Sequence, residues 1–199
     1  MRSHDDILNA LKEGHARFLS GHSIHPHANQ AHLEELESGQ HPEVAILSCS
    51  DSRVPVELLF DSGFGDMFVV RNAGNACTPG STASLEYAVK ALNVKLVLVL
   101  GHEQCGAVTT ACSPLHDLTP SLLELVGDIR EALQDEGLTG DVNRAFHVHP
   151  KITARTLLST SELLRDSVTN GSVQLHTGCY VLDGGTIDWH GPISLTEED

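Results

Sequence analysis

The sequence predicts an α/β fold: a mostly parallel central sheet with helices on both faces and an antiparallel edge strand near the C-terminus. Three observations predict it. Apolar, β-branched-rich runs recur as EVAILSCS (43–50), DMFVVRN (66–72) and VKLVLVLG (94–101), the pattern of strands buried on both faces. Segments with helical spacing of apolar residues separate and follow these runs, and alternation of strand and helix means parallel strands joined by helical crossovers. Near the end, SVQLHTGCYVLDGGTIDW divides into two strand-like halves about Asp183-Gly184-Gly185, a turn that sends the chain back antiparallel.

Taken in order, Asp5 to Gly21 is a leading helix, with Ile7, Leu8, Leu11 and Phe18 on one stripe and a glycine at its stop. HSIHPHANQAHLEELESGQHP (22–42) is rich in His and Pro and reads as a solvated loop with a short helix at its middle. The first strand follows, then a short helix in VPVELLF (54–60), the second strand, and a helix in GSTASLEYAVKALN (80–93) with a Ser/Thr start. After the third strand, helices are expected around Ser121 to Gln134 and Ile152 to Asn170. There is no internal repeat and no linker, so residues 1–199 are taken as one domain: a helical arm, 1–40, and an α/β core, 41–199.

Composition narrows the function. With 199 residues and 40% hydrophobic side chains, the chain can bury one sizeable core. A formal charge of −15 with only 12 scattered Lys and Arg argues against nucleic acid as a partner, because phosphate binding needs a basic face. No apolar run approaches the ~20 residues that span a bilayer, so no membrane partner is expected. Five cysteines, odd in number and irregularly spaced, fit free or metal-bound thiols in a reducing compartment. The expected location is the cytoplasm, with a trimmed organellar or exported form as the alternative.

Chemistry gathers at two strand ends. ILSCSDSRVP places Cys49, Asp51 and Arg53 at alternate positions directly after the first strand, and VLVLGHEQCGAV closes the third with His102 and Cys105. In an open parallel sheet, loops at the carboxyl ends of strands converge on one crevice, so these two can meet. Two thiolates and an imidazole make a tetrahedral zinc site with one position left for Asp51 or a water. Their softness favours zinc over magnesium or calcium.

These motifs resemble those of the β-class carbonic anhydrases, C-x-D-x-R and H-x-x-C, and the likeness is to the plant-like, non-allosteric type. It extends through FVVRNAGN (68–75), SLEYAV (84–89) and GHEQCGAV, and more loosely through EGHARFLSG and GCYVLDGGTIDW. The resemblance implies that Zn2+ is held by Cys49, His102 and Cys105, and that zinc-bound hydroxide attacks CO2 to give bicarbonate and a proton. It implies that Arg53 holds Asp51 off the metal so that the carboxylate orients the nucleophile. It further implies that Gln40, Phe68, Ala73, Tyr87 and the backbone amide of Gly106 line the substrate pocket. Gln40, Phe68 and Tyr87 would reach in from a neighbouring subunit, so a homodimer or higher homo-oligomer is expected. The alternatives on the same fold are hydrolysis of carbon disulfide or carbonyl sulfide, and a non-catalytic zinc- or bicarbonate-binding homologue.

One family branch carries a regulatory bicarbonate pocket built on a tryptophan three residues before the first ligand and a glycine one before it. Here those positions are Ile46 and Ser48, which predicts that the pocket is absent and that Asp51 stays paired with Arg53. Arg71 is expected to pair with a carboxylate and stabilise the fold. Cys77, Cys112 and Cys179 lack partners at ligand spacing and are expected to be structural.

Overall fold

The computed structural model describes residues 2–193. Helix α1 (His4–Leu19) begins with a reciprocal capping box in which the Ser3 hydroxyl accepts from the Asp6 amide and the Asp6 carboxylate accepts from the Ser3 amide. The chain then runs through the histidine-rich loop, with the short α2 (Gln30–Glu35) inside it, into β1 (Val44–Cys49). After α3 (Val56–Leu59) come β2 (Met67–Asn72), a single 3-10 turn at Ala73–Asn75, α4 (Pro79–Leu92) and β3 (Leu96–His102). Thr78 and Ser81 form a second capping box at the start of α4, with Pro79 in the first turn where its missing N–H costs nothing. Helices α5 (Gly106–Ala111), α6 (Pro120–Asp135), α7 (Val142–Thr160) and α8 (Glu162–Thr169) precede the final strands β4 (Gln174–Tyr180) and β5 (Ile187–Pro192).

The five strands lie in the order β2-β1-β3-β4-β5. The first three pairings are parallel and β4–β5 is antiparallel, as the fold-class prediction requires. Side chains on β1 and β3 alternate between two apolar layers. Val44, Ile46, Leu96, Leu98 and Leu100 pack with Ile7 and Leu11 of α1 and with Leu59 and Phe60. Ala45, Leu47, Val97 and Val99 pack with Leu85 of α4, Leu157 of α7 and Leu164 of α8. Both faces are covered, so β1 and β3 are apolar apart from Ser48 and the terminal His102, and each large aliphatic buried there contributes ~1.5–3 kcal/mol. A third cluster, of Val108, Val126, Ile129, Leu133 and Phe146 around Cys49 and Cys105, seats α5, α6 and α7 over the carboxyl ends of the strands.

Two departures from the sequence expectation concern this layer. The helix expected over Ile152 to Asn170 is two helices, α7 beginning ten residues earlier and α8 following a break at Ser161. Ser161 is extended (φ −114°, ψ 109°) and its hydroxyl accepts from the Leu164 amide, so it ends one helix and caps the next. Pro150 lies inside α7, where it would ordinarily argue against a helix; it packs on Gly101 of β3, where a β-carbon would lie 2.5 Å from the Pro150 Cγ. The short α5 was not anticipated.

At the sheet edge, β5 carries a β-bulge. Trp189 pairs with Gly178 and Gly191 with Thr177, leaving His190 as the extra residue. No helix among the described residues is long and apolar enough to cross a membrane.

Candidate metal centre

Cys49 ends β1 and His102 ends β3, strands that neighbour each other in the sheet, and Cys105 follows three residues later as the N-cap of α5. All three are buried, and one donor atom from each lies within 4.8 Å of the others. The Cys49 and Cys105 sulfurs are 3.9 Å apart. Backbone amides of Gly74 (3.3 Å) and Asp51 (3.4 Å) point at the Cys49 sulfur. Hydrogen bonding from the Cys105 thiol lowers the Cys49 pKa to about 4 against the opposing effect of burial, with His102 and the two amides assisting. The same contact with Cys49, then burial, push Cys105 up. Two thiolates this close repel each other, and a doubly charged cation between them would let both sulfurs ionise together.

His102 completes the donor set. Its Nδ1 donates to the Glu103 carbonyl oxygen at 2.8 Å, which fixes the ring. Its Nε2 is buried without a hydrogen-bond partner. A buried, unpaired imidazole nitrogen beside two thiols is costly unless a metal takes its lone pair. The donor set therefore fits zinc, whose preferred protein ligands are thiolate sulfur and imidazole nitrogen.

Asp51 and Arg53 stand at the mouth. The Arg53 Nε and backbone amide both donate to Asp51 Oδ1 at 2.9 Å, and Nη2 donates to Oδ2 at 2.7 Å. Hydrogen bonding from the Arg53 side chain holds the Asp51 carboxyl well below the usual carboxylate range despite its partial burial. Asp51 Oδ2 lies 4.0 Å from His102 Nε2. Arg53 Nη2 also reaches the Gln104 carbonyl at 3.3 Å and so ties the loop after β1 to the loop after β3.

Two further residues brace the centre. Arg71 donates from Nε to the Cys49 carbonyl (2.8 Å) and from Nη2 to the Asp51 carbonyl (2.7 Å). It holds the main chain of the loop after β1 and, among the described residues, pairs with no carboxylate, contrary to the expectation from the sequence. His149, from α7, donates through Nε2 to the Gly74 carbonyl at 2.7 Å, steadying the turn whose amide points at Cys49. Burial pushes the His149 pKa down, consistent with a neutral ring. Sequence reasoning missed His149, whose only local sign was a histidine beside a helix-breaking proline.

The expected pocket residues fall into two groups. Ala73 and Gly106 are exposed neighbours of Gly74 and Cys105 and lie at the metal centre. Phe68 pairs with Ala45 in the β1–β2 register, four residues back from the Cys49–Asn72 pair and so about 13 Å away along the strands. Its ring lies 6.0 Å from that of Tyr87, which is 52% exposed. Gln40 and Tyr87 border the same open surface cavity with Leu36, His41 and Asn93. Gln40, Phe68 and Tyr87 are thus brought together on a rim apart from their own chain's cysteines.

Beneath the loop, Ile46 and Ser48 are fully buried within the sheet. Ile46 belongs to the core on the α1 side, so that position is filled with hydrocarbon and bears no donor for an anion. Cys77, Cys112 and Cys179 are free thiols outside the cluster, and burial pushes the Cys179 thiol up to about 12.

A buried Cys-His-Cys group at the carboxyl ends of parallel strands, with a gripped carboxylate at its mouth, is a donor set of the kind that fits zinc. Residues 44–187 match the model of the carbonic anhydrase family. The chain is 40% identical over 185 residues to carbonic anhydrase 2 of Mycobacterium tuberculosis, a match covering 88% of this chain and 87% of that one. It is 39% identical over 198 residues to a carbonic anhydrase of Synechocystis, covering 90% of this chain and 70% of that one. Among solved structures it superposes with a TM-score of 0.73 at 25% identity on one of two tetrameric β-carbonic anhydrases from Sordaria macrospora, covering 96% of this chain and all of that one. The chain belongs to the β-carbonic anhydrase family, and it is an enzyme of that family.

Proposed function

We propose that this chain catalyses the reversible hydration of CO2 to bicarbonate and a proton, with zinc held by Cys49, His102 and Cys105. The observation that carries the reading is the grip of Arg53 on both oxygens of Asp51, 4.0 Å from the unpartnered His102 nitrogen. Zinc at such a centre supplies Lewis acidity that brings the deprotonation of water close to neutral pH. Asp51, kept ionised and acceptor-only, takes a hydrogen bond from the attacking water and turns its lone pair towards the carbon of CO2. The Gly106 amide, at the start of α5, faces the oxygen of the product anion, and Ala73 gives the mouth a small apolar wall.

The remaining pocket residues support a site shared between subunits. Gln40, Phe68 and Tyr87 lie together on an exposed rim, where they are free to close over the metal centre of a second chain. An aromatic pair suits a neutral, nonpolar substrate, and the Gln40 amide can donate to one of its oxygens. A homodimer is the smallest assembly that completes this pocket, and the tetrameric relatives are in keeping with it. Stopped-flow hydration with a pH indicator tests the activity: zinc-loaded protein must exceed the buffer rate between pH 7 and 9, and a rate equal to buffer would refute the proposal.

A further inference from the structure

A second cluster of metal-ligating side chains lies outside the centre described above. His147 of α7 and Asp188 and His190 of β5 each offer one donor atom, all within 4.8 Å of one another. His147 Nδ1 is 3.2 Å from Asp188 Oδ2, and His190 Nε2 is 3.4 Å from the same oxygen. Zinc bonds of ~2.0–2.1 Å to nitrogen and oxygen give a tetrahedral ligand-to-ligand edge of roughly 3.3–3.4 Å, so both separations suit a shared cation.

The two imidazoles are oriented as ligands should be. His147 Nε2 is 3.4 Å from Glu103 Oε1, which leaves Nδ1 turned towards Asp188. His190 Nδ1 is 3.4 Å from the Thr177 hydroxyl, which leaves Nε2 turned inwards. An outer partner on the far nitrogen of each ring is the usual companion of metal-bound histidine. The His190 side chain is only 5% exposed, and its Nε2 makes no hydrogen bond despite the nearby Asp188 oxygen. Burial, then the Lys151 ammonium, push His190 below the ordinary imidazole range, which leaves its lone pair available near neutral pH. Asp188 and Glu103 set two carboxylates against that one ammonium. His190 is also the extra residue of the β5 bulge, a device that re-aims a side chain at the expense of a ladder position.

We infer that His147, Asp188 and His190 form a second site for a borderline divalent cation such as zinc, completed by water and linking the edge strand β5 to helix α7. The site would act on stability, because it joins two elements through residues 41 positions apart in the chain, His147 and Asp188, and contributes no group to the proposed CO2 pocket.

The experiment uses untagged, full-length protein with its first centre zinc-loaded, dialysed against buffered Zn2+ at micromolar free concentration and analysed by elemental mass spectrometry. The wild type should take up one more zinc per chain than Asp188→Asn or His147→Gln, with hydration rates equal in all three and a thermal midpoint raised by zinc only in the wild type. Asp188 is 54% exposed, so its substitution leaves the core intact. A single zinc in the wild type, or an additional zinc that survives both substitutions, would overturn the inference. Anomalous diffraction at the zinc edge gives a second reading: a peak among these three side chains supports the site, and additional zinc found only on the histidine-rich segment 22–41 refutes it.

Discussion

Arg53 holds Asp51 through three hydrogen bonds, two from its guanidinium and one from its own backbone amide. Arg53→Ala should therefore fold normally and keep metal yet lose at least about 10²-fold in hydration, because the released carboxylate would compete with water for the fourth position on a zinc ion held by Cys49, His102 and Cys105. Arg53→Lys should rescue little, since a point charge cannot grip two oxygens side-on. Stopped-flow rates on metal-quantified protein decide it; a wild-type rate in Arg53→Ala would remove the proposed role of the pair.

Cys49→Ser and Cys105→Ser should each lose zinc, because a neutral hydroxyl does not replace a thiolate. Elemental analysis after dialysis measures this directly, and full occupancy in either purified variant contradicts the ligand set.

The shared pocket predicts complementation. Gln40→Ala and Cys49→Ser should each be poorly active alone. Mixed and reassembled, they should regain activity, because a hybrid dimer unites Cys49 of one chain with Gln40 of the other. A mixture no more active than the average of its parents would place Gln40 in its own chain's site or outside catalysis.

Asp61 supplies a pH test of stability. Its side chain is fully buried, which alone would raise its pKa, but Arg17 (2.6 Å) and the amides of Ile24 and His25 outweigh burial and lower it. A carboxyl whose folded pKa is depressed contributes stability that is present above the unfolded value of ~3.9 and lost as pH falls through the folded value. Asp61→Asn should thus cost about 1–3 kcal/mol near neutrality, and the gap between variant and wild type should shrink below about pH 4. Urea midpoints at the two pH values measure it; a gap independent of pH would show that Asp61 is not ionised there.

Much of the fold was legible because β1 and β3 are covered on both faces and so write apolar runs such as VAIL and LVLVLG. The gathering of Cys49, His102 and Cys105 was legible for the same reason: Cys49 and His102 are conspicuous where such runs stop. The division of α7 from α8 was not, because Ser161 looks like an ordinary helix residue until its cap geometry is seen, and Pro150 hides the first half of α7. His149 and the His147–Asp188–His190 group were illegible because their partners come from distant parts of the chain, 75 residues away for Gly74 and 41 for Asp188. The separation of Gln40, Phe68 and Tyr87 from Cys49 could be anticipated only through family resemblance; spacing carries no information about which subunit a side chain serves.

The packing of Pro150 on Gly101 sets a rule for how this chain can change. A β-carbon at position 101 would come within 2.5 Å of the Pro150 ring, and position 101 immediately precedes the zinc-ligand candidate His102. Gly101→Ala alone must displace either α7 or the strand end that aims the imidazole, whereas the same change in a Pro150→Ala background meets no ring. The two positions are therefore epistatic: the order in which substitutions arrive at 101 and 150 determines whether an intermediate keeps its metal, and a double-mutant cycle on zinc affinity would read that dependence as a coupling free energy.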